Sequence, residues 1–303
     1  MRDRTRIRVD RWPVAGRAGC SPGAIRFGLW PAAALMLALI FDVWMLGVAR
    51  QWDPGADLLA TWRMNLAAPW AAAESSMLGA GVFRWSPVAA QVASLTGALP
   101  WLAFQFAFLG LQLGAIMWMS SKRWPYIVLL PPVLWNLYMG NVDLLMGAAI
   151  VAGFRWPGAW AFLFLTKGTP GVGVLWFAFR REWRSLTIAL GTTAAIAAGS
   201  FMLAPDLWRQ WFAALDEMST LPQSILYPPL LVRVPLAVVL VWYAARTDRR
   251  WLLPVACLIA VPNPWFVTWA ILGASVALIP STSPPAPPDP MAFGSSVTAP
   301  SRR

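Results

Sequence analysis

Apolar residues in this chain come in blocks, and most of the blocks end at arginines. The first block, 27–48, follows Arg2, Arg4, Arg6, Arg8, Arg11, Arg17 and Arg26. It predicts a membrane span over about 27–49 behind a basic cytoplasmic tail, 1–26. A polar and aromatic stretch, 50–86, holds Asp53, Asp57, Arg63, Glu74 and Arg84 and predicts a long outer loop. Segment 86–99 is weakly amphipathic and has no cation after it, which suits a helix lying in the outer interface. A full span is expected at 101–119, returning to Ser121-Lys122-Arg123. The chain then runs outward over 126–138 through Pro131-Pro132, turns at Gly140-Asn141-Val142-Asp143, and returns over 144–153 to Arg155.

Block 156–179 is interrupted by Leu165-Thr166-Lys167-Gly168-Thr169-Pro170. Each apolar flank of Lys167 is short for a full crossing. Pro170 cannot continue a helix cleanly and Gly168 is a good terminator. The segment predicts two short inclined helices that dip into the outer half of the membrane, with Lys167 at their shared turn and Arg155, Arg180, Arg181 and Arg184 on the cytoplasmic side. A clean span at 186–203 leads to a second outer loop, about 205–228, with Asp206, Arg209, Asp216 and Glu217. Segment 229–245 returns to Arg246, Arg249 and Arg250, and 251–279 is split at Pro262-Asn263-Pro264 into two short helices. Residues 281–303 are rich in Ser and Pro and predict a disordered tail. The fold class that follows is an all-α membrane protein, a polytopic helical bundle of about nine or ten membrane segments over 27–280, several too short to cross unaided.

Composition sharpens this picture. With 58% hydrophobic and 12% charged residues over 303 positions, the chain is too apolar for an ordinary soluble domain. The net charge of +11 sits in the gaps between apolar runs, as the positive-inside rule expects, so nucleic-acid binding is not expected. Cys20 and Cys257 fall in different environments, which leaves no disulfide framework. The absence of histidine leaves any general base to a carboxylate.

Three outer-face features are then expected to meet: Asp57 on the first loop, Asn141 and Asp143 at the turn, and Lys167 at the hairpin, with Arg84 nearby. Carboxylate, amide and ammonium at one depth suit a phosphate-bearing lipid and a hydroxyl acceptor, because sugar transfer needs a base for the hydroxyl proton and cations for the departing phosphate. Each residue also has a plainer reading. Lys167 can snorkel to set the depth of a hairpin. Asp57 can be a solvated loop acid, Asp143 the cap of the helix that follows, and Arg84 a headgroup anchor. Arg233, inside 229–245, is either buried against an acid or near the outer surface. Most of the tryptophans are expected to be interfacial anchors and packing residues, and nothing selects Trp62, Trp70 or Trp85 for stacking on a sugar.

The ordered motifs Val82-Phe83-Arg84-Trp85-Ser86-Pro87, Ala98-Leu99-Pro100-Trp101, Gly140-Asn141-Val142-Asp143-Leu144-Leu145, Leu165-Thr166-Lys167-Gly168-Thr169-Pro170-Gly171-Val172-Gly173 and Arg180-Arg181-Glu182-Trp183-Arg184 resemble glycosyltransferase family 87, over roughly residues 40–280. These are bacterial C-type glycosyltransferases related to mannosyltransferases that use polyprenyl-phosphate mannose. The resemblance implies a helix bundle in the bacterial plasma membrane whose long first outer loop carries a functional aspartate, best matched by Asp57, with Asp42 the rival inside the first span. It implies an inverting transfer of a hexose, mannose by the resemblance, from a polyprenyl-phosphate donor to a lipid or glycan acceptor on the outer face, among membrane lipids. Asp57 would be the general base, Lys167 and Arg84 would bind phosphate, and Asn141 or Asp143 would orient sugar or acceptor. Asp143 departs from the family pattern, which more often has Asn or His there; a second acid could assist the base, bind a metal, or mark an inactive relative. No cofactor is expected, and a divalent metal is left open. Two other readings remain at this point: a lipid-linked-sugar transporter, and an inactive relative serving as an assembly subunit.

Overall fold

The computed structural model describes residues 54–59, 61, 62, 66, 85–120, 123–220, 228–262 and 264–279. The expected tail and first span, with Asp42 and Cys20, lie outside the described residues, as do Asp53, Arg63, Trp70, Glu74, Arg84, Lys122 and the tail 281–303. Among the described residues the structure is helical, without a strand: α1 (Ala56–Leu59), α2 (Pro87–Ser94), α3 (Trp101–Ser120), α4 (Trp124–Val128), α5 (Pro131–Met139), α6 (Asp143–Gly153), α7 (Trp160–Thr166), α8 (Leu175–Phe179), α9 (Trp183–Leu203), α10 (Pro205–Thr220), α11 (Leu230–Thr247), α12 (Leu253–Ala260) and α13 (Gly273–Leu278).

Among the described residues, three helices, α3, α9 and α11, are long and apolar enough to cross a bilayer, or four if α5 and α6 count as one bent span. The sequence of α3 shows the physics. It has 20 residues and no charge, and at about 1.5 Å per residue it reaches about 30 Å, the thickness of a hydrocarbon core. Leu102, Phe106, Leu111 and Met117 are exposed along it, while Phe104, Ile116 and Met119 face the bundle. An apolar face left outward in this way is solvated by lipid.

Between and after these helices the chain makes three broken hairpins. In the first, α5 and α6 meet at 113°. The second joins Pro157–Thr166 to Thr169–Phe179, and the third joins Arg250–Ala260 to Phe266–Leu278. Gly140, with φ 71°, ends α5 in the left-handed conformation that favours glycine. The breaks expected around Gly168 and at Pro262 are therefore present, and the hairpin arms pack on one another around Met146, Ile150, Trp160, Trp176, Leu253 and free, buried Cys257. The far ends of the arms gather the arginines. Arg250 lies over the Phe154 ring at 5.2 Å and Arg180 pairs with Asp248 at 2.9 Å, while Arg123 donates to the carbonyl of Val276.

Two expectations need correction. The second outer loop is instead, over most of its length, helix α10, 16 residues long. Its aromatic positions 208, 211 and 212 recur at helical spacing, with Trp208 and Trp211 at 5.7 Å and the Trp208 indole donating to Ser200 Oγ at 3.1 Å. The density of charge there had suggested a loop. The outward run 126–138 is also interrupted, because Leu130 precedes Pro131 and adopts extended backbone, so α4 and α5 are separate helices. Segment 86–99 is helical, as α2 with Ser86 as its N-cap followed by a 3-10 turn over Leu95–Ala98.

Candidate functional site

The tips of the first two hairpins carry the polar residues singled out in the sequence, and a short piece of the first loop is laid across them. That piece is tied down at several points. Gly55 N–H donates to the carbonyl of Tyr138 at 2.8 Å, Gln105 Nε2 to that of Pro54 at 3.2 Å, and the Trp62 indole to that of Leu99 at 3.0 Å. Leu58, 3% exposed, lies against Gly140 so closely that a Cβ there would stand 2.7 Å from its own Cβ. The missing side chain at 140 is what lets α1 approach the tip, and it brings Asp57 down beside Asn141.

At that contact Asn141 Nδ2 donates to Asp57 Oδ2 at 2.8 Å. The Asn141 Oδ1 accepts from the Asp143 N–H at 3.3 Å. One amide side chain therefore joins the loop carboxylate to the first turn of α6. Asp143 does not act as the helix cap, since Val142 is the N-cap residue and makes no side-chain cap bond. Its carboxylate, fully buried, instead pairs through Oδ1 with Lys167 Nζ at 2.5 Å. The other oxygen, Oδ2, has no hydrogen-bond partner among the described residues.

Lys167 sits at the tip of the second hairpin in a three-residue turn. Thr169 N–H donates to the Lys167 carbonyl at 2.9 Å, with Gly168 at φ 69°, ψ −78° between them. This is the strained γ-turn geometry, and strain of this kind collects at functional sites. The side chain of Lys167 is 15% exposed, so its ammonium has donors left over from the Asp143 pair. Burial pushes the Asp57 carboxyl above its ordinary value. The Asn141 hydrogen bond and then the Lys167 charge oppose that rise, and the nearby Asp143 charge adds to it.

Of the predicted site residues, Asp57, Asn141, Asp143 and Lys167 are thus brought together, and Arg84 lies outside the described residues. Arg233, left open between an acid partner and the surface, is buried and donates to four backbone carbonyls. Sequence reasoning missed Gln112, fully buried in α3, whose Nε2 donates to the Asn141 carbonyl at 2.6 Å and steadies the first tip. Its signal was available, as one of two amides inside a 20-residue apolar helix. It also missed the Ser86 hydroxyl, which donates to the carbonyl of Leu165 and ties α2 to the second hairpin.

Beside the cluster is a half-open cavity of about 310 Å³, lined by Leu58, Phe106, Phe108, Leu109, Leu137 and Gly140 among others. Among the described residues no group of three or more acids or cysteines forms a metal-binding cluster, and the two carboxylates at the tips are matched instead to an amide and an ammonium. The profile of glycosyltransferase family 87 matches residues 66–280. No curated protein and no solved structure matches the chain.

Proposed function

Because the chain belongs to glycosyltransferase family 87, a family of membrane glycosyltransferases, we propose that it moves a hexose, mannose by family resemblance, from a polyprenyl phosphate to a hydroxyl of a lipid or glycan acceptor. The observation that carries this reading is the meeting of a half-buried loop carboxylate and a hairpin-tip ammonium, Asp57 and Lys167, through Asn141 and Asp143. In the proposed reaction Asp57 takes the proton of the acceptor hydroxyl as its oxygen attacks the anomeric carbon from the face opposite the phosphate. The bond from that carbon to the phosphate oxygen breaks, the configuration inverts, and Lys167 neutralises the charge left on the polyprenyl phosphate. A carboxyl with raised proton affinity is the better base for this step. Asn141 fixes the direction of the Asp57 lone pairs, and Asp143 holds Lys167 in place while leaving it donors for phosphate. The apolar cavity beside Leu58 suits part of a prenyl chain.

We put the hairpin tips at the outer face of a bacterial plasma membrane and the arginine-bearing ends in the cytoplasm, in keeping with the positive-inside rule. The first span and the arms of the hairpins then complete the nine or ten segments read from the sequence. The test is incubation of membranes containing the protein with labelled polyprenyl-phosphate mannose and native lipid extract. A labelled product that disappears with Asp57→Asn is expected; full activity in that variant would sink the assignment of the base. The broken hairpins also suit a lipid-linked-sugar transporter. Movement of the intact donor across the membrane with no new glycoside would favour that reading, and donor binding with neither outcome would point to an inactive assembly subunit.

A further inference from the structure

The third hairpin tip has an unusual density of backbone acceptors. Helix α12 ends at Ala260, and its last carbonyls have no helical partner. Pro262 and Pro264 follow, and neither carries an N–H. Four consecutive carbonyls, at 259, 260, 261 and 262, are nevertheless all satisfied. Arg233 Nη1 donates to Ile259 at 3.2 Å and to Val261 at 2.6 Å, and Nη2 donates to Pro262 at 2.8 Å. The one carbonyl that Arg233 does not take, at Ala260, accepts from the Thr169 hydroxyl at 2.5 Å. Arg233 Nε also holds the carbonyl of Pro228, at the start of α11.

These bonds form a continuous path. Arg233 grips the third tip, the third tip holds Thr169, and Thr169 closes the γ-turn onto the Lys167 carbonyl. A guanidinium is suited to this because its five donors lie in a fixed plane, whereas an ammonium is a point charge with three. Burying a cation to 7% exposure inside an apolar bundle is costly, and the four carbonyls that accept from Arg233 offset that cost.

We propose that Arg233 is a positioning residue for the Lys167 ammonium, acting through the carbonyls of residues 259–262 and the Thr169 hydroxyl. The effect on catalysis rests on the glycosyl-transfer reading given above; the link to Lys167 does not. Loosening either end of the path lets the γ-turn relax and moves the ammonium away from the place where it meets phosphate. The Michaelis constant for the donor then rises, while that for the acceptor stays near its original value.

The test uses the full chain with Arg233→Gln and, separately, Thr169→Val, which keeps the shape of the side chain and removes the donor. Two readouts are taken on folded protein. The first is the donor and acceptor KM and kcat with polyprenyl-phosphate mannose. The second is the rate at which a small amine reagent labels Lys167, followed by peptide mass spectrometry; the chain holds one other lysine, Lys122, in a separable peptide. The expected result is a donor KM raised on the order of tenfold or more, since displacement of about 1 Å can cost about a hundredfold, together with faster labelling of Lys167 in both variants. Unchanged labelling and unchanged donor KM in the folded variants would overturn the proposal. Faster labelling with kinetics unchanged per folded molecule would overturn the catalytic part. If Arg233→Gln does not fold, Thr169→Val decides. If the original chain shows no transfer at all, the function reading fails while the labelling still decides the link.

Discussion

Gly140→Ala tests whether the close approach of α1 to the first hairpin tip is what delivers Asp57. Two costs can be worked from the structure. Gly140 has φ 71°, and a left-handed conformation costs a residue with a Cβ about 1–2 kcal/mol. The new Cβ would also stand 2.7 Å from Leu58 Cβ, where carbon atoms normally rest at about 3.5–4.0 Å. Leu58 must therefore retreat by about 1 Å, and Asp57 goes with it. The Asn141–Asp57 hydrogen bond, 2.8 Å long, then stretches beyond the roughly 3.2 Å limit of a good bond. A misplacement of that size can cost about a hundredfold in rate. The assay is transfer of labelled sugar in proteoliposomes, normalised to the folded fraction, with thermal unfolding in detergent alongside. A loss of kcat/KM on the order of a hundredfold is expected. Pairing the change with Leu58→Gly, which removes the colliding atom, should show strong non-additivity: activity recovers relative to Gly140→Ala while stability falls further. Wild-type kcat/KM per folded molecule in Gly140→Ala, or simple additivity in the double variant, would refute the reasoning.

Gly168→Ala offers a contrast, because a Cβ there meets nothing within 4 Å while its φ 69°, ψ −78° belong to the strained γ-turn and not to the left-handed helix; it should lose about 1–3 kcal/mol of stability without a steric effect on neighbouring side chains, read by thermal unfolding. Asp57→Asn should stabilise the protein at neutral pH. The folded state holds this carboxyl's proton more tightly than the unfolded state does, so its contribution is present below the ordinary value of about 3.9 and is lost as pH rises through the raised one. The gain in Tm should accordingly be seen at pH 7 and shrink toward pH 4, and the acid limb of the rate profile should lie above the ordinary carboxylate range. Lys167→Met leaves fully buried Asp143 unpaired and should cost about 3–5 kcal/mol; adding Asp143→Asn should restore much of the stability but none of the transfer. Ser86→Ala removes both the α2 cap and the bond to Leu165, and a loss of about 1 kcal/mol by thermal unfolding is expected.

Much of the candidate site was legible in the sequence because each of its residues interrupts a simpler pattern. Lys167 breaks an apolar run and is followed by Gly168 and Pro170, and the structure has the expected paired short helices there. Asn141 and Asp143 stand at a glycine-marked turn between apolar segments. The pairing of these residues was not legible. That Lys167 meets Asp143 and Asp57 meets Asn141 depends on how two hairpins and a loop dock, and docking is decided by contacts such as Leu58 on Gly140 that leave no local trace. Arg233 was ambiguous for the same reason, since its partners are backbone carbonyls that any residue could supply. Helix α10 was misjudged because counting charges hid a helical repeat of aromatics that the same residues carried.

The hairpin arms also bear on how the protein is made. An 11-residue helix such as α6 is about 16 Å long, roughly half of a hydrocarbon core. The insertion machinery, which reads a window of about 19 residues, has little reason to release such an arm into lipid by itself. Helices α3, α9 and α11 can partition as they emerge, whereas the arms must wait for neighbours that cover their open backbone ends. Asp57 and the three polar residues of the tips thus come together only late in biogenesis, when the hairpins dock. Variants that slow docking would expose those ends to membrane proteases before any loss of activity could be measured.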